Sequence, residues 1–114
     1  MLNKQDLINY FFEGIKPKNN MKIGVEHEKF ILSKNTHKPI SYEEKNGIKN
    51  IFLKMIQNGW TPIYEGDQEK IIAVKRNSEL ITLEPGGQIE LSGAPLNNIH
   101  KTCSETTNHL IELK

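Results

Sequence analysis

The strongest constraint on this chain lies at residues 81–92, where apolar and polar side chains alternate on both sides of a Pro-Gly-Gly step. Ile81, Leu83, Ile89 and Leu91 hold odd positions, while Thr82, Glu84, Gln88, Glu90 and Ser92 hold even ones. A period of two belongs to a strand with one buried face. Pro85-Gly86-Gly87 does not fit inside a regular strand and marks a bulge, a kink or a close backbone approach. If that bend preserves register, the polar residues of both arms share one face of a sheet.

The flanking sequence supplies partners. Residues 71–75 are a short apolar strand, Arg76-Asn77-Ser78-Glu79 has turn chemistry, and residues 80–84 return as the second arm of a hairpin. Residues 21–32 also alternate: Ile23, Val25, His27, Lys29 and Ile31 on one face, Gly24, Glu26, Glu28, Phe30 and Leu32 on the other. Such a strand sets Glu26 and Glu28 roughly 6–7 Å apart on the same side.

Three helices are expected. In residues 4–14, Leu7, Ile8, Phe11, Phe12 and Ile15 form an apolar face, Asn3 caps the start, and Gly14 with Pro17 ends it. Ser41 and Glu44 read as a capping box before Ile48, Ile51, Phe52, Met55 and Ile56, with Gly47 a mild internal weakness and Asn58-Gly59 the C-terminal cap. A last helix carries a stripe of Leu96, Ile99, Cys103, Thr106, Leu110 and Leu113 and is still running at Lys114, which reads as a truncation. Residues 60–63 are extended, and residues 64–69 form an acidic turn.

Composition narrows the function classes. The 114 residues suit one domain with one core, here a single partial domain over 1–114. Fifteen basic and fourteen acidic residues leave a formal charge of +1, which gives no field for a nucleic-acid or membrane partner. No apolar run nears the roughly 20 residues of a membrane span, and the start lacks a signal-like apolar core. One cysteine excludes an intrachain disulfide. The expectation is a soluble, globular, cytoplasmic protein, its oligomeric state unreadable.

The chemistry concentrates in carboxylates. Glu26 and Glu28 lie on one strand, and Glu84 and Glu90 flank the Pro-Gly-Gly bend on another. Hard divalent cations take several oxygen ligands, and glycines admit a close-lying phosphate. On spacing alone, a solvated strand face and an ordinary bulge explain the same residues. Gly86-Gly87 matches neither known phosphate-loop pattern. His27 lies on the face opposite the glutamates, and His100 and His109 point to opposite sides of a helix. Cys103 could meet His100 but reads as a helix-packed thiol. Lys75 and Arg76 could reach a phosphate or carboxylate, or be charges beside a turn.

At Lys22-Ile-Gly-Val-Glu-His-Glu-Lys-Phe30 and Ile81-Thr-Leu-Glu-Pro-Gly-Gly-Gln-Ile-Glu-Leu-Ser-Gly-Ala-Pro95, the chain resembles the amino-terminal part of the glutamate–cysteine ligases of plants and many proteobacteria. The spacers agree too, including Phe11-Phe-Glu-Gly-Ile-Lys-Pro-Lys18, Asn58-Gly-Trp60 and His100-Lys-Thr-Cys-Ser-Glu105. The resemblance implies an α+β fold: an antiparallel sheet with flanking helices, forming the N-terminal segment of a glutamine-synthetase-like catalytic domain. It also implies ATP- and Mg²⁺-dependent joining of the glutamate γ-carboxylate to the cysteine amine, through γ-glutamyl phosphate, to give γ-glutamylcysteine, the first step of glutathione synthesis.

Carried over by motif, Glu26, Glu28, Glu84 and Glu90 would be Mg²⁺ ligands, directly or through water, and Gln88 would orient phosphate or substrate; Arg76, outside those motifs, is the basic residue expected to contact ATP or substrate. None is a proton-transfer group, because a metal-bound carboxylate stays ionised. Members of the family are several hundred residues long, so these 114 residues alone are expected to be inactive. Two other readings stand beside this one: a related carboxylate–amine ligase using a different amine, and a non-catalytic module that binds metal or nucleotide.

Overall fold

The alternation at 81–92 folds as a hairpin. In a computed structural model describing residues 1–66 and 69–114, Glu79–Glu84 (β4) and Gln88–Ser92 (β5) pair antiparallel. Glu84 stands opposite Gln88 and Ile81 opposite Leu91. Pro85-Gly86-Gly87 closes the hairpin, with Gly86 and Gly87 at φ +84° and +78°, left-handed values that a side chain would strain. The Gly87 N–H donates to the Glu84 carbonyl at 3.1 Å. Even positions of one arm meet even positions of the other, so the bend does preserve register.

The hairpin is the middle of a five-stranded antiparallel sheet. Adding β1 (Glu26–Phe30), β2 (Thr61–Tyr64) and β3 (Ile71–Arg76), the order is β1-β5-β4-β3-β2. The predicted hairpin of β3 and β4 is present, with Asn77 at φ +54° in its turn. The turn expected over 64–69 includes residues 67 and 68, which lie outside the described residues.

One sheet face is covered. Helix α2 (Ile48–Gln57) lays Ile48, Phe52 and Met55 against Val74, Ile81, Ile89 and Leu91, with Trp60 and Ile71 completing the core. Asn58 and Gly59 end α2 as expected, Gly59 at φ +92°. Helix α3 (Ile99–Glu112), capped by the Asn98 side chain, covers the rest of that face. No helix among the described residues is long and apolar enough to cross a membrane.

Four expectations are corrected. The strand over 21–32 is regular only from Glu26 to Phe30; Ile23 and Leu32 form isolated bridges with Leu96 and Pro39. Ser41 and Glu44 do bond, the Ser41 N–H donating to Glu44 Oε2 at 3.0 Å, but they close a turn before the helix. The helix starts at Ile48 with Gly47 as its N-cap. Gly47 is therefore no internal weakness. A Cβ there would lie 2.3 Å from the Ser41 carbonyl oxygen, so only glycine fits the turn.

The third correction concerns α3. Its buried residues are Thr102, Glu105 and His109, whereas Ile99, Leu110 and Ile111 are exposed. Cys103 is exposed as well, so it is not the helix-packed thiol expected. The sheet surface beneath α3 offers His27, Arg76 and Glu79, and a helix covering polar groups turns its own polar side inward.

The fourth is α1 (Lys4–Glu13). It forms with the predicted cap at Asn3, and Asp6 reciprocates to complete a capping box that the sequence reading did not name. None of its residues is buried, Ile8 is only half-buried, and Phe11 is 75% exposed. The radius of gyration, 17.8 Å, accordingly exceeds the roughly 13 Å of a compact chain this long.

Candidate functional site

The uncovered sheet face carries the carboxylates. Across β1, β5, β4 and β3, one row runs Glu28, Glu90, Thr82, Ala73. On one side of it lies the row Glu26, Ser92, Leu80, Lys75, and on the other Phe30, Gln88, Glu84. All four predicted glutamates and Gln88 thus share a face. Glu90 is central, directly opposite Glu28 and diagonal to both Glu26 and Glu84. Opposed side chains are about 5 Å apart at Cβ and diagonal ones about 7–8 Å, within reach of long side chains.

Glu26 and Glu28 are exposed, whereas Glu84, Gln88 and Glu90 are half-buried. Glu90 Oε1 accepts from the Ser92 hydroxyl at 3.0 Å. Thr82 Oγ1, in the same row, is buried without a hydrogen-bond partner. A shallow cavity of ≈ 320 Å³, lined by Gly24, Val25, Glu26, Ser92 and Gly93, opens at the Glu26 end. Among the described residues, no three His, Cys, Asp or Glu side chains converge closely enough to hold a metal ion. The glutamates share a face without converging.

Arg76 is placed elsewhere. The register alternates Lys75 and Arg76 between faces, and Arg76 falls on the helix-covered side. Its guanidinium forks onto Glu112, Nη1 to Oε1 at 2.6 Å and Nη2 to Oε2 at 3.2 Å. It also bonds Glu79 at 3.4 Å and lies 4.2 Å over the Trp60 ring. The bond to Glu112 raises the Arg76 pKa, while burial raises that of Glu79 against the pull of Arg76. The structure places Arg76, expected to contact phosphate or substrate, away from the glutamates, where its donors tie α3 to the β3–β4 hairpin. The basic residue on the carboxylate face is Lys75, exposed and in the row of Glu26.

The histidines do not join the carboxylates. His27 faces the helix side as predicted, its ring 6.3 Å from that of His109. Burial, then Lys29 and His27, push His109 down to about 4, against a smaller upward effect of Glu112. Burial and Lys29 also lower His27. Sequence reasoning set Thr82 and Ser92 on this face without giving them a role, and it did not set Lys75 there. The parity that exposed the glutamates already contained Thr82 and Ser92, and the two-residue turn fixes Lys75 opposite Leu80.

The comparisons bear on this arrangement. Residues 22–114 match the model of glutamate-cysteine ligase family 2 (GCS2). The chain is 43% identical over 113 residues to glutamate–cysteine ligase A, chloroplastic, of Oryza sativa subsp. japonica, which covers 99% of this chain and 22% of that protein. It is 43% identical over 113 residues to the chloroplastic glutamate–cysteine ligase of Arabidopsis thaliana, and 44% over 117 residues to that of Nicotiana tabacum. Each match covers 99% of this chain and 21% of the relative. The chain thus spans about a fifth of the length of these curated relatives. Their chloroplastic designations overturn the cytoplasmic expectation. With the matched region containing both carboxylate segments, the chain belongs to glutamate-cysteine ligase family 2.

Proposed function

We propose that this chain forms the metal-binding sheet of an ATP-dependent ligase that joins the γ-carboxylate of L-glutamate to the amine of L-cysteine. ATP phosphorylates the γ-carboxylate, and the cysteine amine displaces phosphate from γ-glutamyl phosphate to give γ-glutamylcysteine, the first step of glutathione synthesis. The observation carrying this reading is the common face of Glu26, Glu28, Glu84, Gln88 and Glu90 in a chain of this family. The surrounding architecture is read as the N-terminal segment of a glutamine-synthetase-like catalytic domain.

The donor chemistry suits Mg²⁺, which binds through one or two carboxylates and completes its shell with waters and phosphate oxygens, so the glutamates need not converge three at a time. Carboxylate oxygens on rigid strands are what a hard dication takes, and the orphaned Thr82 hydroxyl leaves a polar partner for a water or phosphate oxygen. Glu26, Glu28, Glu84 and Glu90 would hold the ions, directly or through water. A dication held there would supply positive charge against the triphosphate and the transferring phosphoryl group. Gln88 orients phosphate or substrate by its amide, and Lys75 supplies the positive charge that Arg76, turned to the other face, does not.

The complete protein containing this chain, given ATP, Mg²⁺, glutamate and cysteine, is expected to release γ-glutamylcysteine, ADP and phosphate in equal amounts. Faster turnover with another amine would replace cysteine with that amine. Absence of amine-dependent ATP turnover would overturn the ligase reading. Residues 1–114 alone are expected to be inactive.

A further inference from the structure

The carboxylate face is bounded at its Glu26 end by the segment Ser92-Gly93-Ala94, where the chain leaves β5, and this segment is fastened from behind by a residue on the opposite side of the sheet. Glu105 of α3 is 8% exposed, and its Oε1 accepts from the Ala94 N–H at 2.7 Å. Its Oε2 is buried without a partner. A Cβ on Gly93 would lie 2.3 Å from that oxygen and 2.9 Å from Val25 Cγ1, so glycine is what lets the carboxylate lie against the segment. The segment is bonded to β1 on its other side. The Gly93 N–H donates to the Val25 carbonyl at 2.7 Å, and Ile23 and Leu96 exchange bonds of 2.7 and 2.8 Å just beyond. Glu26, the next residue, stands opposite Ser92.

We propose that Glu105 is a positioning residue for the metal-binding face. Through Ala94, Gly93 and Val25 it fixes where Glu26 stands relative to Glu28 and Glu90. The chain of contacts is a carboxylate, one backbone N–H, a glycine that admits no side chain, and a backbone bond to the residue before Glu26. A carboxylate held in this place by α3 sets the rim of the cavity lined by Val25, Glu26, Ser92 and Gly93. This inference rests on the proposed reading of the carboxylate face as a divalent-cation site. Residues that orient metal ligands from behind typically change metal affinity by 10–100-fold when lost.

The test is a titration of the complete protein with Mn²⁺, a paramagnetic probe of Mg²⁺ sites, without ATP or amino acids, together with thermal unfolding. Glu105→Ala is expected to weaken Mn²⁺ binding about tenfold or more. Glu105→Gln, which keeps the oxygen that accepts from Ala94, is expected to restore binding to near wild type. Phe52→Leu, in the core away from this segment, is expected to lower the melting temperature and leave Mn²⁺ affinity alone. If Glu105→Ala does not fold, Gly93→Ala disturbs the same contact from the other side and is expected to weaken Mn²⁺ in the same way. Wild-type affinity in the Glu105→Ala or Gly93→Ala protein would overturn the proposal, as would an equal loss in Phe52→Leu. A wild-type protein that binds no Mn²⁺ would overturn the cation-site reading itself, and the positioning role with it.

Discussion

Glu28 and Glu90 stand directly opposite each other across β1 and β5, two carboxylates on an uncovered face with Glu26 and Glu84 on the diagonals. Like charges in opposed positions destabilise a sheet by roughly 0.2–1 kcal/mol. Glu90→Gln removes the repulsion and keeps an oxygen for the Ser92 hydroxyl. Denaturant unfolding without divalent cations at low salt is expected to show this variant about 0.5 kcal/mol more stable than wild type. Added salt should shrink the gain, because the pair is partly solvated.

Arg76 is a structural tie. Its fork onto Glu112 and its stacking on Trp60 join α3, the β3–β4 hairpin and the start of β2. Arg76→Ala is expected to lower stability by roughly 1–2 kcal/mol. Arg76→Lys should recover little, since an ammonium cannot make the two-pronged bond. Glutamate and ATP affinities of the complete protein should not change in the Arg76→Lys variant, whereas Lys75→Ala should weaken one of them. Equilibrium unfolding and substrate titration separate the two effects.

Gly47 has an ordinary φ of −78°, so its requirement is spatial. An added Cβ would lie 2.3, 2.8 and 3.0 Å from the carbonyl oxygens of Ser41, Glu44 and Tyr42. Gly47→Ala is therefore expected to cost about 2 kcal/mol or more, the scale of overpacking against a backbone that cannot yield. Gly66→Ala gives the contrast: at φ +55°, with no atom of the described residues within 4 Å of its missing Cβ, only a backbone penalty of about 1 kcal/mol is expected. Thermal unfolding of the two variants measures the difference.

His109 sets an acid limit. It is 3% exposed with neither ring nitrogen partnered, and its pKa is lowered to about 4 from an ordinary 6.5. Below pH 6.5 the unfolded chain binds the proton that the folded chain refuses, so stability is lost as the pH falls from 6.5 toward 4. The lowered pKa of His27 acts in the same direction. His109→Leu is expected to flatten this part of the pH–stability curve and to gain most near pH 4–5. Urea unfolding at pH 8, 6 and 4.5 would show it; parallel curves for the two proteins would contradict the assignment.

The sheet was legible because its signal is local. Alternation around Pro85-Gly86-Gly87 fixes which residues share a face, and the left-handed glycines preserve that parity around the bend. Asn3 and the Asn58-Gly59 pair mark helix ends by local chemistry in the same way. The burial of α3 was not legible. Apolar spacing pointed to Ile99, Cys103 and Leu110, but the surface beneath the helix is polar, set by residues such as His27 and Arg76 that are distant in sequence. The start of α2 was missed because Ser41 and Glu44 satisfy each other in a turn as readily as at a helix end. That Arg76 lies on the face opposite the glutamates was not legible, because the sequence shows a cation near a turn and not which face it takes. The family-specific strings around Glu26 and Glu90 were readable because they are long and contiguous.

The opposed carboxylates of β1 and β5 are proposed to hold a divalent cation. The most direct measurement is the thermal unfolding temperature of the complete protein as Mg²⁺ is raised, in wild type and in the Glu28→Gln/Glu90→Gln variant. A cation that binds only the folded state raises that temperature with concentration. A saturable rise is expected in wild type and none in the variant. An equal rise in both proteins would contradict it.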